Sequence, residues 1–247
     1  MRPCAVSFFI LRFFVASPLL ANPALADSFA RLMAARRSIR AYQAKPVADS
    51  LLRDVLTLAR QAPSGANLQP GSFISVTGLA RQRLTAELVQ AWRDGAQEPE
   101  DYSYFPTPMP MTLRRRQVAA AKALYGSIGV AQEDRAGRDL QFEQNFRFFD
   151  APVALIATIN GDFGSGGYMD FGMTLYGLML AAQSQGLATC AIGAMASYPG
   201  LIRRSLGLDT NSKIVCGIAL GYADTDAAVN RTVTERCALD QYFRVME

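Results

Sequence analysis

A turn between a helix and a strand constrains this chain more than any other feature of its sequence. The turn is the stretch Ala62–Pro70, which holds two prolines and a glycine within nine residues. Such a composition is incompatible with helix or sheet, so the stretch has a fixed irregular conformation. The apolar spacing of residues 51–59 predicts an amphipathic helix before the turn, and residues 73–76 predict a strand after it.

The turn and an upstream arginine segment offer hydrogen-bonding groups that complement one kind of ligand. Residues 36–40 supply three guanidinium groups, and the turn supplies the neutral side chains of Ser64, Asn67 and Gln69. A guanidinium binds phosphate through two parallel charged hydrogen bonds, and an amide pairs with an edge that carries both donors and acceptors. Flavin mononucleotide (FMN) has an anionic tail and a planar, amide-edged head, so it would satisfy both sets.

Four blocks of the sequence resemble the FMN-dependent nitroreductase family, in the family's order from about Phe29 to the C-terminus. The blocks are the Arg-x-Ser-x-Arg segment, the Pro-Ser-x-x-Asn-x-Gln-Pro turn, residues 170–190 and residues 215–236. Residues 125–152 are similar to the nitrobenzoate-reductase-like branch of that family. The resemblance implies an α+β, nitroreductase-like fold, with a central and mostly antiparallel sheet flanked by helices in a homodimer.

The resemblance also implies which residues hold the cofactor. Arg36 and Arg236 are expected at the FMN phosphate, with Arg231 as a rival for the second position. Arg40 is expected near the pyrimidine edge of the flavin, and the backbone around Gly193 faces flavin N5 in relatives. Relatives often carry an acidic residue just before that glycine, where this chain has Ile192. The full expected set is Arg36, Arg37, Ser38, Arg40, Pro63, Ser64, Asn67, Gln69, Ile192, Gly193 and Arg236.

The activity implied by the resemblance is that of an FMN-dependent NAD(P)H oxidoreductase. It reduces nitroaromatic, including nitrobenzoate-like, or quinone acceptors by a ping-pong mechanism, with the chemistry carried by FMN and no catalytic side chain. Arg147 is a candidate for binding a substrate carboxylate, while the phenylalanines around it are equally well explained as ordinary core. Two alternatives stay open: another reaction on the same fold (flavin breakdown, dehalogenation or dehydrogenation), or a non-catalytic FMN-binding protein.

Composition restricts the chemistry further. The chain has no histidine, which excludes Ser-His-Asp and Cys-His mechanisms and any metal site built on imidazole. Its four cysteines have no Cys-x-x-Cys spacing, so Cys190 and Cys216 are interpreted as small core residues. The 25 basic residues include only three lysines, without a nucleic-acid-binding motif, and we expect neither a nucleic-acid partner nor a metal.

The first 26 residues are predicted to lie outside the folded domain, which is expected to span residues 27–247. Residues 4–20 are strongly apolar, and Ala24–Ala26 fits the small-residue pattern of a signal-peptide cleavage site. The competing interpretation is a translation start assigned too far upstream, with a cytoplasmic protein. Arg12 interrupts the apolar run, so we do not expect a membrane-spanning helix or a stable membrane association.

Hydrophobic periodicity predicts most of the remaining elements. The nearly continuous apolar run of residues 151–159 predicts a strand that is buried on both faces. Residues 95–111 carry four prolines and are predicted to be irregular, and the glycine-rich residues 161–167 are predicted to be a flexible connection. Helices are predicted for residues 27–37, 79–92, 114–136 and 169–184, and a further strand for residues 214–220.

Overall fold

The structure, a computed structural model, describes residues 23–247. Residues 36–247 form one compact unit, to which α1 does not belong. The described helices are α1 (Pro23–Ala35), α2 (Asp49–Ala59), α3 (Gly78–Arg93), α4 (Met111–Ser127), α5 (Arg135–Glu143), α6 (Ser165–Ser184), α7 (Pro199–Leu206) and α8 (Leu239–Tyr242). The strands are β1 (Ser72–Val76), β2 (Val153–Asn160), β3 (Ala188–Ile192) and β4 (Ser212–Gly221).

The four strands form one antiparallel sheet in the order β1-β2-β4-β3. In this sheet β2 and β4 are central, and seven of the eight residues of β2 are buried. Burial on both faces explains why its sequence is a continuous apolar run instead of an alternating one. The predicted α+β fold with an antiparallel sheet between helices is therefore confirmed.

Each face of the sheet packs against its own set of helices. One hydrophobic cluster joins the sheet to α3 and α7 and contains the buried rings of Phe146, Phe148 and Phe149. The other cluster joins the sheet to α2 and α6 and contains Phe171 and Leu178. Residues 36–247 therefore have the sheet in the middle and two apolar layers, one on each side.

Small residues allow α2 and α6 to approach closely. A Cβ built on Gly177 of α6 would lie 3.7 Å from the carbonyl oxygen of Ala59 in α2, so the backbones are nearly in contact. At the end of the turn, a Cβ on Gly71 would overlap the Phe171 ring, and Gly71 has a φ of 89°. Only glycine satisfies both the conformation and the space at position 71.

Three segments differ from the predictions. The helix predicted for residues 114–136 begins earlier, at Met111, and ends at Ser127, where Gly129 with a φ of 69° turns the chain before α5 begins at Arg135. Residues 188–192, for which no strand was predicted, form edge strand β3. Gly186 has a φ of 73°, the left-handed conformation that commonly ends a helix, and it separates α6 from this strand. The predicted glycine-rich connection is shorter than expected, because α6 already begins at Ser165.

The predicted extension of residues 1–26 lies mostly outside the described residues. Its last four residues belong to α1, which continues without a break across the predicted boundary to Ala35. The boundary between residues 26 and 27 stays a prediction. None of the helices in residues 23–247 is both long and apolar enough to cross a membrane.

Candidate functional site: a flavin site

The arginine segment runs in extended conformation beside edge strand β3. Ser38 forms a parallel bridge with Thr189, and the backbone N–H of Ile39 donates to the Thr189 carbonyl oxygen at 3.0 Å. Side chains alternate between the two sides of an extended chain, so Arg36, Ser38 and Arg40 share one side and Arg37 points to the other. Arg37 is exposed, and its place in the expected cofactor-binding set stays a prediction.

Arg36 is half-buried and carries an unsatisfied hydrogen-bond donor. Its Nε is buried and has no hydrogen-bond partner among the described residues, and its guanidinium carbon lies 5.9 Å from the ring centre of Tyr176 on α6. A buried, charged donor without a partner is costly, and an anion that accepts its hydrogen bonds removes that cost. The side chain of Arg36 therefore fits the phosphate of FMN.

Asn230 fixes the backbone of the arginine segment, a role that sequence reasoning missed. Its Oδ1 accepts from the backbone N–H groups of Arg40 (2.7 Å) and Ala41 (3.2 Å). Its Nδ2 donates to the carbonyl oxygens of Ala41 (2.8 Å) and Asp224 (2.7 Å). Oδ1 and Nδ2 each make two hydrogen bonds. Asn230 thereby connects the C-terminal part of the chain to the segment that presents Arg40.

The turn is held by its own hydrogen bonds and by one from α6. Ser64 Oγ accepts from the backbone N–H of Gln69 at 2.9 Å, and the Gln69 side chain donates to the Asn67 carbonyl oxygen at 3.1 Å. Asp170, which is buried on α6, accepts from the backbone N–H of Gly65 at 2.9 Å. Asp170 was recognised as part of a matched block, but sequence reasoning gave it no role.

The backbone of the turn is strained, and its side chains are available to a ligand. Ala66, Asn67 and Gln69 have φ values of 50°, 58° and 50°, a region that residues other than glycine rarely occupy. Pro63, Asn67 and Gln69 are exposed, and Ser64 is half-buried. Strain of this kind is concentrated at ligand-binding sites, where the surrounding structure maintains it.

Both parts of the predicted site lie along helix α6. Asp170 holds the turn and Tyr176 lies beside Arg36, and six residues of helix separate their Cα atoms by about 9 Å along the axis. The structure thus brings the arginine segment and the turn to the same helix, as expected for two halves of one ligand site.

Gly193 follows β3 and lies directly against an aromatic ring. A Cβ at this position would be 2.9 Å from the Tyr104 ring, so the missing side chain is what lets Tyr104 approach. The side chain of Ile192 is apolar and buried in the core, so it offers no polar group at this position. Burial raises the pKa of the Tyr104 phenol, which keeps it protonated at neutral pH.

Tyr104 belongs to an aromatic group that sequence reasoning did not assign to the site. Tyr102 and Tyr104 have ring centres 6.0 Å apart, Tyr104 and Phe105 4.8 Å, and Tyr102 and Tyr168 5.2 Å. The Tyr102 hydroxyl donates to the Val215 carbonyl oxygen at 2.7 Å, which attaches the proline-rich segment to the sheet. The irregular segment of residues 95–110 therefore delivers exposed rings next to Gly193.

Arg147 makes contacts that favour the ordinary-core alternative for its segment. Its Nη2 lies 2.8 Å from Oε1 of Glu143, whose other oxygen accepts from Arg93 Nε at 2.7 Å. The side chain of Glu143 is 6% exposed, and hydrogen bonds from Arg93 and then Arg147 lower its pKa against the opposing effect of burial. The carboxylate-binding role of Arg147 stays a prediction, but this guanidinium already has an acidic partner.

The predicted tail residues contact mainly their own segment. Arg236 is exposed and donates from Nη1 to the side-chain and carbonyl oxygens of Thr234 at 3.0 and 3.2 Å. Arg231 is also exposed, with a weak contact of 3.4 Å to the Asp226 carbonyl oxygen. These local contacts leave open which of the two arginines meets a phosphate.

The cysteines of the core are buried and separate. Cys190 faces the layer that contains α3 and α7, and Cys216 faces the layer that contains α2 and α6. Burial raises the pKa of Cys190 and raises that of Cys216 to about 12, so both are neutral thiols at physiological pH. Among residues 23–247, no group of three or more acidic or cysteine side chains is arranged to hold a metal ion.

Known proteins are similar to this chain over most of its length. A 4-nitrobenzoate reductase of Pseudomonas putida is 38% identical over 206 residues, which cover 83% of this chain and 90% of that protein. A chloronitrobenzene nitroreductase of Comamonas testosteroni is 35% identical over 209 residues, covering 84% of this chain and 92% of that protein.

Two solved structures are similar to the chain in overall fold. The FMN- and NADPH-dependent nitroreductase NfnB of Sphigopyxis sp. strain HMH superposes with a TM-score of 0.84 at 35% identity, covering 88% of this chain and 98% of its own. The FMN-dependent NfnB of Mycobacterium smegmatis, solved in complex with NADPH, has a TM-score of 0.84 at 30% identity, covering 90% of this chain and 100% of its own. The model of the nitroreductase family matches residues 33–222, which include the arginine segment, the turn and Gly193, and the chain therefore belongs to that family.

Proposed function

We propose that this protein is an FMN-dependent NAD(P)H oxidoreductase that reduces nitroaromatic compounds. The observation that carries the proposal is the buried, unpartnered Nε of Arg36, beside the helix that also holds the strained turn. The relatives support it, because two similar sequences are named as a 4-nitrobenzoate reductase and a chloronitrobenzene nitroreductase, and two matching structures are described as FMN-dependent. The proposal combines an arginine suited to an anion, a turn with the exposed side-chain amide of Asn67 and membership of the family.

Within this proposal, the described residues divide the binding of FMN among them. Arg36 and Ser38 hold the phosphate, and either Arg231 or Arg236 adds a second guanidinium. Arg40, whose backbone is fixed by Asn230, lies near the pyrimidine edge and stabilises negative charge there. Asn67 offers a donor and an acceptor to the same edge, and Pro63, Ser64 and Gln69 form the wall from which it projects.

The chain's contribution to the reaction is binding, orientation and exclusion of water. When bound, FMN supplies the hydride chemistry, taking electrons from NAD(P)H and giving them to the acceptor. Gly193 leaves a backbone surface without a side chain, and the ring of Tyr104, with Phe105 beside it, lies against this surface. A neutral Tyr104 hydroxyl next to this surface can donate a hydrogen bond to a nitro oxygen.

We also propose that the active form is a homodimer, located in the cytoplasm. Helix α6 exposes Met169, Met173 and Tyr176, whose spacing of four and three residues places them on one side of the helix. A row of large apolar side chains on a helix that contacts both halves of the site is a suitable surface for a second copy. Light scattering on the purified protein and on a Met173→Lys variant tests this, since the variant should be monomeric. A monomeric wild-type protein would contradict it.

The proposed activity is tested with the purified protein under anaerobic conditions. The protein should be yellow, the absorbance of its flavin should bleach when NADPH or NADH is added, and nitrobenzene should restore it. A flavin that binds but is not bleached would favour the non-catalytic alternative. A flavin that is bleached and then reoxidised only by quinones or by oxygen would show that the nitroaromatic assignment is wrong.

A further inference from the structure

The irregular segment that carries Tyr104 is attached to the sheet by a buried carboxylate, that of Asp101. The side chain of Asp101 is 6% exposed. Its Oδ2 accepts from the backbone N–H of Ile214 at 2.8 Å and from Nη1 of Arg203 at 2.6 Å, and Lys213 Nζ lies 3.9 Å from its Oδ1. Hydrogen bonds between charged groups are short and strong. Asp101 therefore fixes this segment to the first residues of β4.

Two acidic residues of the segment contact consecutive arginines of helix α7, but only one contact is buried. Asp101 pairs with Arg203, whose side chain is 18% exposed. Glu98 accepts from Nη2 of Arg204 at 3.0 Å and from the backbone N–H of Leu201 at 3.1 Å, but the Arg204 side chain is 72% exposed. An exposed ion pair contributes about 0–1 kcal/mol, whereas breaking a buried one leaves an uncompensated charge. Asp101 is therefore the stronger attachment.

Asp101 binds β4 at the end of the sheet where β3 has stopped. Strand β3 pairs only with residues 217–221 of β4, and the chain then continues into Gly193. The backbone N–H of Ile214 lies outside that range and donates to Asp101, and the carbonyl oxygen of the next residue accepts from the Tyr102 hydroxyl. Backbone groups in a protein interior need such partners. Side chains of the segment thus take the place of a strand at this part of β4.

Tyr104 takes its position from these attachments. It follows Asp101 by three residues, within about 11 Å along the chain. Its ring contacts are with Tyr102 and Phe105 of the same segment, and a Cβ at Gly193 would lie 3.1 Å from its hydroxyl oxygen. A shift of the segment at Asp101 would therefore move this hydroxyl relative to Gly193.

We propose that Asp101 is a positioning residue for the reduction of the acceptor, acting through Tyr104. The inference rests on the proposed function, in which the Tyr104 hydroxyl donates a hydrogen bond to a nitro oxygen beside Gly193. Hydrogen bonds weaken steeply with displacement and misalignment, so a loosened segment would lose this bond. The arginine segment and the turn are held by other contacts, and flavin binding should not depend on Asp101.

A double-mutant cycle separates positioning from a general structural role. We compare kcat/KM for nitrobenzene in flavin-loaded wild type, Asp101→Ala, Tyr104→Ala and the double variant. Asp101→Ala should lower it by about three- to ten-fold, as for loss of one neutral hydrogen bond, but should have little further effect in Tyr104→Ala. Asp101→Asn keeps an acceptor oxygen for Ile214 and should restore part of the activity. Asp94→Ala, the matched control, removes an exposed carboxylate that accepts from Gln90 and should match wild type.

Hydrogen exchange provides a readout that does not depend on turnover. Amides of residues 98–105 should exchange faster in Asp101→Ala than in wild type or Asp94→Ala, with FMN affinity unchanged. Tyr102→Phe, which removes one hydroxyl from the same attachment, gives the same comparison in place of an Asp101→Ala protein that does not fold.

Two results would overturn the proposal: equal losses of kcat/KM with and without Tyr104, or unchanged exchange of the segment in Asp101→Ala. Wild-type protein that binds FMN but does not reduce nitrobenzene would instead refute the proposed function, and with it the reaction that Asp101 serves. The exchange measurement would still decide whether Asp101 holds the segment, so the two failures are distinguishable.

Discussion

The buried carboxylate of Asp170 accepts a hydrogen bond of 2.9 Å from the backbone N–H of Gly65. This bond joins helix α6 to a turn whose residues 66, 67 and 69 all have positive φ values. A strained turn persists only where surrounding contacts hold it, and Asp170 is the α6 side chain that provides such a contact. The shape of the proposed flavin site therefore depends on an acidic residue that acts through the backbone of the turn.

Replacing Asp170 should weaken flavin binding more than it weakens the fold. In Asp170→Ala the turn loses its acceptor, and relaxation of the turn should raise the FMN dissociation constant about ten-fold, equivalent to about 1.4 kcal/mol. The free energy of unfolding should change less, because the mutation also removes a buried charge. Asp170→Asn, which retains an acceptor oxygen, is the matched control. Equal FMN affinity in wild type and Asp170→Ala would mean that the turn holds its shape alone.

Arg147→Met should lower stability and leave substrate preference unaltered. The substitution removes two hydrogen bonds to Glu143, and charged hydrogen bonds of this type contribute about 1.5–3 kcal/mol. Arg135→Met removes only an exposed ion pair to Asp139, which contributes about 0–1 kcal/mol. Urea denaturation of the two variants gives the comparison. If Arg147→Met instead reduces kcat/KM for nitrobenzoate but not for nitrobenzene, this arginine does bind the substrate carboxylate.

The same carboxylate predicts an acid-dependent loss of stability. Hydrogen bonds from Arg93 and Arg147 lower the folded-state pKa of Glu143, so its contribution is complete above the unfolded-state pKa of about 4.3. That contribution is lost as the pH falls through the lower folded-state pKa. Denaturation between pH 7 and pH 3 should therefore show a smaller acid loss in Glu143→Gln than in wild type. If stability falls with pH in the same way in both proteins, other carboxylates cause the acid-dependent loss.

Gly193→Ala should displace Tyr104, because the new methyl group would lie 2.9 Å from its ring. Such contacts are shorter than van der Waals distance, and overpacking of this kind costs about 1–3 kcal/mol. In a Tyr104→Ala background the same substitution should cost much less, since the ring that it meets is absent. A double-mutant cycle of unfolding free energies measures this coupling. Additive effects would show that the two residues are independent.

The sequence predicted the elements whose signals are local and missed those that depend on the fold. Strand β2 was predictable because both of its faces are buried and its apolar run is continuous. Strand β3 was missed because it follows α6 after only three residues. Both elements are apolar, so the sequence does not show that the helix ends and a strand begins around Gly186. The start of α4 was predicted late because the prolines before Met111 indicated an irregular segment.

The residues of the site also divide into those with a local sequence signal and those that only the fold brings together. Arg36, Ser38 and Arg40 were predicted through the resemblance to the family, and the fixed turn was predicted from its prolines and glycine. Asn230, however, is 190 residues away from Arg40, and no local pattern connects them. The pairing of Arg147 with Glu143 did have a signal, because residues four positions apart in this orientation are neighbours on a helical turn. The contact between Tyr104 and Gly193 had no signal in the sequence, because Tyr104 lies in an irregular segment without a periodic pattern.

The central claim is that Arg36 binds the phosphate of FMN, and the most direct measurement is a comparison of FMN with riboflavin. Flavin-free protein is titrated with each, by fluorescence quenching, for wild type, Arg36→Ala and Arg37→Ala. Wild type should prefer FMN, and Arg36→Ala should lose about 2–5 kcal/mol of FMN affinity while its riboflavin affinity is unchanged, because riboflavin lacks the phosphate. Arg37→Ala should resemble wild type. Equal losses for both flavins, or equal effects of the two substitutions, would contradict the account.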